Sequence, residues 1–490
     1  GRIYTACRKI KINMENLDFA KTKKVLLIGA GGKTGIWYSR LMLREGLTVF
    51  AFDQNPQVKY PDDLLNNAMF FRVNPDELES GEILKKTDSI TLSPGVPLKQ
   101  DIFIKAQNSG KFVFSELEYT YNHLKNRKWI CVTGTDGKST TVSMIAHCLN
   151  VYGKKAVSCG NYGLSFSEIA CDKEKYSSLE YLVAELSSYQ LELCRNLQAD
   201  VSLYLNLAPD HLNRYDNLEH YGWVKWHIAS ALRKNGTLIV NKNLMPGQTK
   251  LWKELHPVEN IAHPVNIVEV DAENLLSRNF GVKKIDNVPV FYETSDRQSI
   301  VKAKELFVQG EHNFSNILFC LETLYCLGCR DRQKLAAALE TFKSLPHRFE
   351  KIILPDSDGN IYINDSKATT TQAVIIAIKN TGLPLFLFLG GRSKGEDYGF
   401  LAETIAAKGA HVFLFGENRK ELEVELLRHK VSVVGIKDTL DQAFAHARDY
   451  QKENRLENVT FLLSPASTSW DQYSSFEERG DKFRQMVLKA

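Results

Sequence analysis

The sequence predicts an α/β protein with three domains. Short apolar segments rich in Val, Ile, Leu and Phe recur along the chain and run into glycine-containing turns, as strands of parallel sheets do. Segments with helical apolar spacing follow several of them, and this alternation predicts β-α units. The 490 residues exceed what one hydrophobic core supports and correspond to about three domains of ~150 residues. We place these domains at 1–124, 125–344 and 345–490.

The composition argues against several classes of protein. A net charge of +4 on this length gives no basis for a nucleic-acid-binding surface. No apolar run reaches the ~18 residues of a membrane-spanning helix. The nine cysteines are scattered, and the pair Cys326 and Cys329 lacks a second pair for a zinc site. We therefore expect reduced thiols in a cytoplasm. Residues 1–13 precede Met14 and lack the apolar core of a signal peptide, so they are an ordered arm or an upstream extension.

The first domain opens with a strand and a glycine-rich turn, Lys24–Gly35. A helix is predicted from about Ile36 to Glu45, and a second strand ends at Asp53. This order is typical of a β-α-β unit in which the glycines receive a diphosphate and the acidic residue contacts a ribose or base. A purely structural glycine turn is the alternative, because glycines do not occupy all three positions of the fingerprint. Further strands are predicted before Ser93-Pro-Gly-Val-Pro97 and at Phe112–Ser115.

The stretch Trp129–Leu149 predicts a strand, a phosphate loop and a helix. It begins with apolar, β-favouring residues, breaks at Gly134-Thr-Asp-Gly137, and continues with helical apolar spacing. Glycines let backbone N–H groups approach phosphate oxygens, and the helix N-terminus adds positive potential. Lys138 would lie near the β and γ phosphates, and the hydroxyl of Ser139 or Thr140 would bind Mg²⁺. The alternative is a turn with a solvated lysine, because the first glycine of the general pattern is missing.

Two further strands of the second domain end in residues with functional chemistry. Glu185 ends the strand that begins at Tyr181, and Asp210-His211 follows the next one. Because carboxyl ends of parallel strands line one crevice, we expect Glu185 and His211 near Lys138. A carboxylate and an imidazole beside a triphosphate form a candidate Mg²⁺ pair, although a capping or core histidine is about as plausible.

A predicted helix places Lys225 between Trp223 and Trp226. A solvated lysine is the default interpretation. A lysine in a partly apolar site, however, can lose its proton and become chemically modifiable. Further on, Asn313 and Asn316 have helical spacing and would read an adenine edge or cap the helix.

The third domain alternates strands and helices again. Its strand ends present Asp365 and Lys367, then Lys394, then Ser464 and Ser469. Cations and hydroxyls gathered at strand ends suit a small dicarboxylate substrate, and solvated surface lysines are the alternative.

Together these motifs make the chain resemble the Mur ligases of peptidoglycan synthesis. The resemblance extends over nearly the whole chain after Met14, and within the family it points to the ligases that add D-glutamate to UDP-N-acetylmuramoyl-L-alanine. The residues alone do not distinguish D- from L-glutamate. The ten motifs are Ser93-PGVP, Gly134-TDGKST, Glu185-LSSYQLE, Asn206-LAPDHLNRY, Tyr221-GWVK, His312-NFSN, Pro346-HRFE, Asn364-DSKAT, Leu389-GGRSKG and Leu463-SPASTSWDQYSSFEERG.

The resemblance implies a Rossmann-like N-terminal domain for the UDP group, a central P-loop-type ATPase domain, and a Rossmann-like C-terminal domain for the amino acid. It implies an ATP-dependent, amide-forming ligase that works through an acyl phosphate. It further implies a monomer in the bacterial cytoplasm with a role in cell-wall biogenesis, cell shape and cell division. Two alternatives remain: a sister Mur or folylpolyglutamate-type ligase, and an inactive nucleotide-binding scaffold.

The resemblance also implies roles for individual residues. The catalytic residues would be Lys138, Glu185, His211 and Lys225, of which Lys225 would become a carbamate. The metal-binding groups for two Mg²⁺ would be Ser139, Glu185, His211 and carbamylated Lys225. The ATP-binding residues would be Gly134, Thr135, Asp136, Gly137, Lys138, Ser139, Thr140, Asn313, Asn316, Arg348 and Asp365. The UDP-substrate residues would be Lys33, Thr34, Asp53, Ser93, Gly95 and Asn161, and the glutamate residues Lys367, Thr369, Lys394, Ser469 and Phe476.

Three positions depart from the family pattern. Asp136 stands where Asn is usual and puts a carboxylate beside the phosphates. Thr370 also replaces a usual Asn, and Ser464-Pro-Ala-Ser-Thr-Ser469 replaces a version that contains Cys.

Overall fold

A computed structural model describes residues 19–210, 214–244, 265–308, 311–343, 345–354, 359–393, 395–431 and 433–489. The described residues form two compact units, one within 1–306 and 313–342, the other within 307–312 and 343–490. The division into three domains stays a prediction. The predicted site residues His211 and Lys394, and residues 1–13, lie outside the described residues.

The first sheet is parallel and has the strand order of a doubly wound nucleotide-binding fold. Its described strands are β1 Lys24–Ile28, β2 Thr48–Phe52, β3 Phe70–Arg72, β4 Ser89–Leu92 and β5 Phe112–Ser115. They pair in the order β3-β2-β1-β4-β5, which places the start of the chain at the centre of the sheet. The helices are α1 Lys33–Arg44, α2 Asp62–Leu65, α3 Pro75–Ser80, α4 Ile83–Lys86, α5 Asp101–Asn108 and α6 Glu116–Leu124.

Helix α1 begins three residues before the predicted start at Ile36, so that boundary was wrong. Gly32 is its N-cap, and Gly35 lies inside its first turn. A Cβ at Gly35 would come within 2.4 Å of the Gly29 carbonyl oxygen. The glycine therefore lets the helix start directly against the turn, where the sequence pattern was interpreted as loop.

The second sheet combines a parallel part with an antiparallel extension. Its described strands are β6 Lys128–Thr133, β7 Ala156–Gly160, β8 Tyr181–Glu185, β9 Ala199–Tyr204, β10 Leu232–Asn241, β11 Asn266–Asp271, β12 Leu276–Ser277, β13 Phe280–Ile285, β14 Val288–Glu293 and β15 Ser299–Lys302. The order is β15-β14-β13-β12-β11-β10-β9-β6-β8-β7, parallel from β7 to β11 and antiparallel from β12 to β15. No motif predicted the antiparallel part. The helices are α7 Lys138–Val151, α8 Phe166–Cys171, α9 Ser188–Glu192, α10 Leu218–Ser230, α11 Glu311–Cys326 and α12 Arg332–Thr341.

Two buried carboxylates on α6 join the first sheet to the second. Glu116 Oε1 accepts hydrogen bonds from Ser167 N and Ser167 Oγ, each 2.8 Å long. Glu118 accepts the backbone N–H groups of Arg195 and Asn196 at 2.5 and 3.0 Å. Burial raises the pKa of Glu116 to about 7 and also raises the pKa of Glu118.

The second unit contains a mostly parallel sheet. Its described strands are β16 Glu350–Ile352, β17 Ile361–Asn364, β18 Leu385–Gly390, β19 His411–Phe415, β20 Val433–Ile436 and β21 Thr460–Leu463, in the order β16-β17-β21-β18-β19-β20. Only the β16–β17 pair is antiparallel among these strands. Every residue of β18 is buried, as expected for a strand covered by helices on both faces. The helices are α13 Thr371–Lys379, α14 Gly399–Lys408, α15 Arg419–Arg428, α16 Leu440–Glu453 and α17 Phe476–Leu488.

The predicted α/β class is confirmed, and strand neighbours place the candidate residues. Strand β6 lies between β8 and β9, so the loop after β6 emerges beside Glu185. Strands β17, β21 and β18 are also neighbours, so their carboxyl ends meet at one edge. Among the residues described, no helix has both the length and the apolar character of a membrane span.

Candidate active site

The loop Gly134–Gly137 joins β6 to α7 and has a tightly constrained backbone. Gly137 has φ +78° and is the N-cap of α7. A Cβ there would come within 2.5 Å of Asn316 Oδ1, so the loop packs against helix α11. Because Gly137 has no side chain to cap the helix, the first-turn N–H groups of α7 are available to an anion.

Asn206, which follows β9, holds the loop from the other side. Its Oδ1 accepts the N–H groups of Thr135 and Asp136 at 3.0 and 2.9 Å, and its Nδ2 donates to Asp136 O at 3.0 Å. The N–H groups that the loop offers to a phosphate are therefore those of α7 and not these two. No role was predicted for Asn206, although its place two residues after the central strand β9 was a usable signal.

A buried carboxylate connects the phosphate loop with a predicted substrate residue. Glu185 is 2% exposed, and its Oε2 accepts a 2.5 Å hydrogen bond from Ser139 Oγ. Its Oε1 accepts a 2.7 Å bond from Asn161 Nδ2. The predicted metal, ATP and UDP-substrate residues thus meet on one side chain.

Two lysines converge on the Gly134 carbonyl oxygen. Lys138 Nζ donates to it at 2.9 Å and Lys225 Nζ at 2.7 Å. Lys138 Nζ also donates to Thr135 O at 2.6 Å. Lys225 is 1% exposed, which contradicts the interpretation as a solvated helix lysine. Burial, followed by the charge of Lys138, lowers its pKa well below the usual value, against smaller opposite effects of nearby carboxylates.

The remaining predicted residues of this region lie close to the loop or outside the described residues. Asn316 Nδ2 donates to Asn313 Oδ1 at 3.2 Å, and both side chains are buried on α11. Asp210 is near enough to raise the pKa of Lys225. The predicted role of His211 remains a prediction, since that residue is not described.

The predicted UDP residues lie in two different environments, one at the glycine turn and one against helix α8. Asp53 Oδ2 accepts the Gly31 N–H at 2.7 Å, and Ser93 Oγ donates to Gly29 O at 2.7 Å, so both border the glycine turn. Lys33 instead pairs with Glu168 on α8 at 3.3 Å. Thr34 O accepts a 3.4 Å bond from Ser167 Oγ, and a Cβ at Gly95 would meet open space.

In the second unit, Arg348 lies in a strained turn beside Asp365. His347 and Phe349, its neighbours, have φ +61° and +46°, and such strain persists where surrounding contacts enforce it. Phe349 N and Ser464 Oγ donate to Asp365 at 3.0 and 2.9 Å. Burial raises the pKa of Asp365 to about 7, although these hydrogen bonds and the charge of Arg348 lower it.

The predicted glutamate residues that the structure describes follow strands β17 and β21. Lys367 Nζ lies 4.1 Å from the centre of the Phe476 ring, a cation–π contact. Thr369 N donates to Lys367 O at 2.8 Å, and Ser469 is 2% exposed. Lys394 lies outside the described residues. Arg479 is buried beneath these loops; its motif was quoted, but no role was predicted for it.

The donor set at Glu185 fits Mg²⁺. A carboxylate and a hydroxyl are hard oxygen ligands, and Mg²⁺ uses one or two carboxylates together with phosphate oxygens and water. No group of three or more His, Cys, Asp or Glu side chains that could hold a metal occurs in the part of the chain that the structure describes. The arrangement therefore fits an ion shared with a phosphate chain.

Comparison with known proteins places these features in a family. A model of the Mur ligase middle domain matches residues 132–324. The UDP-N-acetylmuramoylalanine–D-glutamate ligase of Rippkaea orientalis is 31% identical over 471 residues, covering 93% of this chain and 97% of the relative. The ligase of the same name from Microcystis aeruginosa is 31% identical over 472 residues, covering 95% and 99%.

Solved structures share the fold at low identity. MurF from Acinetobacter baumannii has a TM-score of 0.58 at 14% identity, covering 96% of this chain and 94% of that one. MurF from Thermotoga maritima in complex with ADP has a TM-score of 0.56 at 16% identity, covering 97% of each chain. Together with the two relatives that match nearly end to end, these findings show that the chain belongs to the Mur ligase family.

Proposed function

We propose that this chain is an ATP-dependent ligase of the MurD type, which adds D-glutamate to UDP-N-acetylmuramoyl-L-alanine in peptidoglycan precursor synthesis. The observation that carries the proposal is the pair of hydrogen bonds at Glu185. One comes from Ser139, at the N-terminus of the helix after the phosphate loop, and the other from Asn161, the predicted substrate residue. The two relatives that cover 93% and 95% of this chain carry this activity in their name.

The proposed reaction has two steps. The carboxylate of UDP-N-acetylmuramoyl-L-alanine attacks the γ-phosphorus of ATP, so that an acyl phosphate forms and ADP leaves. The amine of glutamate then attacks the acyl carbon, inorganic phosphate leaves, and the amine loses a proton as the amide forms. Phosphoryl transfer of this kind depends on positioning and on charge stabilisation.

The residues around the phosphate loop supply both. The N-terminus of α7 and the ammonium group of Lys138 attract the phosphates. The glycines of the loop Gly134–Gly137 let the backbone approach the phosphate oxygens. Ser139 and Glu185 would hold Mg²⁺, which when bound neutralises phosphate charge. Asn316, which lies against Gly137, and Asn313, which accepts its hydrogen bond, would contact the nucleotide. By resemblance, Arg348 and Asp365 would contact it too.

Lys225 is proposed to act as a carbamate. Its neutral amine adds to CO₂, which forms an N–C bond, releases one proton and converts the neutral amine into an anionic carbamate. The buried position against Gly134 O and the lowered pKa favour the neutral amine that this reaction needs. The carbamate would support a second Mg²⁺, while His211 would position magnesium together with Glu185.

The UDP-substrate residues are proposed mainly at the first sheet, and the glutamate residues at the sheet of the second unit. Lys33, Thr34, Asp53, Ser93 and Gly95 would bind the UDP group, and Asn161 would contact the muramoyl part of the substrate. Lys367, Thr369, Lys394, Ser469 and Phe476 would bind glutamate. We also propose a monomer in the bacterial cytoplasm, in keeping with eight free cysteines among the described residues.

A phosphate-release assay tests the function. Purified protein with MgATP should release phosphate only when both UDP-N-acetylmuramoyl-L-alanine and D-glutamate are present. L-Glutamate, and UDP acceptors that lack L-alanine or carry a longer peptide, should give rates close to the background. Release with a longer acceptor or a folate would favour the sister ligases, and no release with any panel member would favour the scaffold.

A further inference from the structure

Helix α17 carries a fully buried arginine at the carboxyl ends of the strands in the sheet of the second unit. Arg479 is 0% exposed. A buried guanidinium is costly unless its donors are satisfied, so such a residue needs an explanation. Its hydrogen bonds run to neutral groups: Nε donates to Ser366 Oγ at 3.0 Å, and Nη2 donates to Ser366 O and Ser467 O at 2.8 and 3.1 Å.

These acceptors belong to two different loops. Ser366 follows β17 and directly precedes Lys367, and Ser467 follows β21, two residues before Ser469. The planar fork of one guanidinium therefore fixes the spacing between two loops that carry proposed glutamate residues.

The loop after β18 also lies against the guanidinium group of Arg479. A Cβ at Gly391, directly after β18, would come within 3.1 Å of Arg479 Nη1 and 2.2 Å of Thr468 O. Nη1 is itself buried and has no hydrogen-bond partner among the described residues. Arg479 therefore lies where the loops after β17, β18 and β21 come together.

The guanidinium also keeps its charge at this position. Burial lowers the pKa of Arg479 to about 10, while Asp471 and Tyr473 oppose that change, so the side chain is protonated at neutral pH. A buried cation beneath a pocket favours an anionic ligand over a neutral one.

We propose that Arg479 is a positioning residue for the amino-acid pocket. It ties the loops after β17 and β21 together beneath the loop after β18 and thereby sets the affinity for glutamate. The inference rests on the proposed function. It predicts a selective effect on glutamate, because ATP and the UDP substrate are proposed to bind mainly through other residues.

The test compares Arg479→Lys with Arg428→Lys, a matched change at an exposed position of α15. Lysine keeps the charge but cannot make the forked contacts. We expect Arg479→Lys to raise the KM for D-glutamate about tenfold, the size of a lost charged hydrogen bond, and to leave the KM for ATP and for the UDP substrate within about twofold. Arg428→Lys should match the wild type. An unchanged KM for glutamate, or an equal rise in all three constants, would overturn the inference.

A milder variant covers the case in which Arg479→Lys does not fold. Ser366→Ala removes the acceptor of Nε and leaves the arginine in place. Ser366→Ala should raise the KM for D-glutamate about threefold to tenfold and leave the KM for ATP and for the UDP substrate unchanged. An unchanged KM for D-glutamate would count against the inference. Wild-type protein that releases no phosphate with D-glutamate would instead refute the proposed function.

Discussion

Ser139 Oγ donates a 2.5 Å hydrogen bond to Glu185 Oε2, and this bond connects the first turn of α7 with the carboxyl end of β8. Both side chains are 2% exposed. A carboxylate buried this deeply is retained when its oxygens have partners, and Asn161 provides the second one. The site is thus preorganised on rigid elements.

Removing the charge of Glu185 should stop catalysis. Glu185→Gln keeps the shape but weakens the proposed Mg²⁺ site, so kcat should fall by about 100-fold or more and the Mg²⁺ concentration for half-maximal rate should rise. Glu180→Gln, at the exposed position directly before the same strand, is the control and should behave as wild type. Wild-type kcat in Glu185→Gln would contradict the role.

A methyl group at Gly137 should disrupt the phosphate loop. Gly137→Ala and Gly153→Ala introduce alanine at nearly equal φ angles of +78° and +77°, so the backbone strain of about 1–2 kcal/mol is common to both. Only Gly137 has a neighbour in the way, Asn316 Oδ1 at 2.5 Å, whereas Gly153 faces open space. ATP affinity measured by calorimetry should therefore drop only in Gly137→Ala, and equal affinities would disprove the packing argument.

Lys225 should be replaceable by a small carboxylate. Lys225→Ala should lose activity, and added acetate should restore part of it by occupying the place of the carbamate. Lys225→Arg keeps a cation but cannot form a carbamate, so it should be inactive with and without acetate. Lys234→Ala, an exposed lysine nearby in the chain, is the control. Full activity of Lys225→Ala without acetate would exclude the carbamate.

Glu116 should make stability depend on pH. Its folded pKa of about 7 lies above the ordinary value of 4.5, so the folded state binds more protons than the unfolded state between these values. The free energy of unfolding should therefore fall as pH rises through this window. Glu116→Gln keeps an acceptor for Ser167. As pH rises from 4.5 to 8, its free energy of unfolding should increase by about 2–3 kcal/mol relative to that of wild type. Denaturant unfolding at pH 4.5 and at pH 8 measures the free energy of unfolding, and Glu82→Gln, at an exposed position, is the control. An equal stability difference between Glu116→Gln and wild type at both pH values would refute the prediction.

The motifs predicted the parts of the site that lie within or directly after a strand. Glu185 could be placed because an apolar strand ends in a carboxylate, and the candidate residues at the ends of β17, β18 and β21 were named from the same pattern. The strands β12 to β15 were missed because an antiparallel extension carries no turn or phosphate motif. Asn206 was missed because its contact with the loop joins residues about seventy positions apart.

From its sequence alone, this chain could be assigned to the α/β class, to a phosphate-binding loop and to a ligase family, because strand periodicity, glycine spacing and motif order are local properties. Only the tertiary structure decided that Lys225 is buried against Gly134 and that Arg479 joins the loops after β17 and β21. Burial and long-range hydrogen bonds depend on which strands become neighbours, and strand order is a property of the packed sheet.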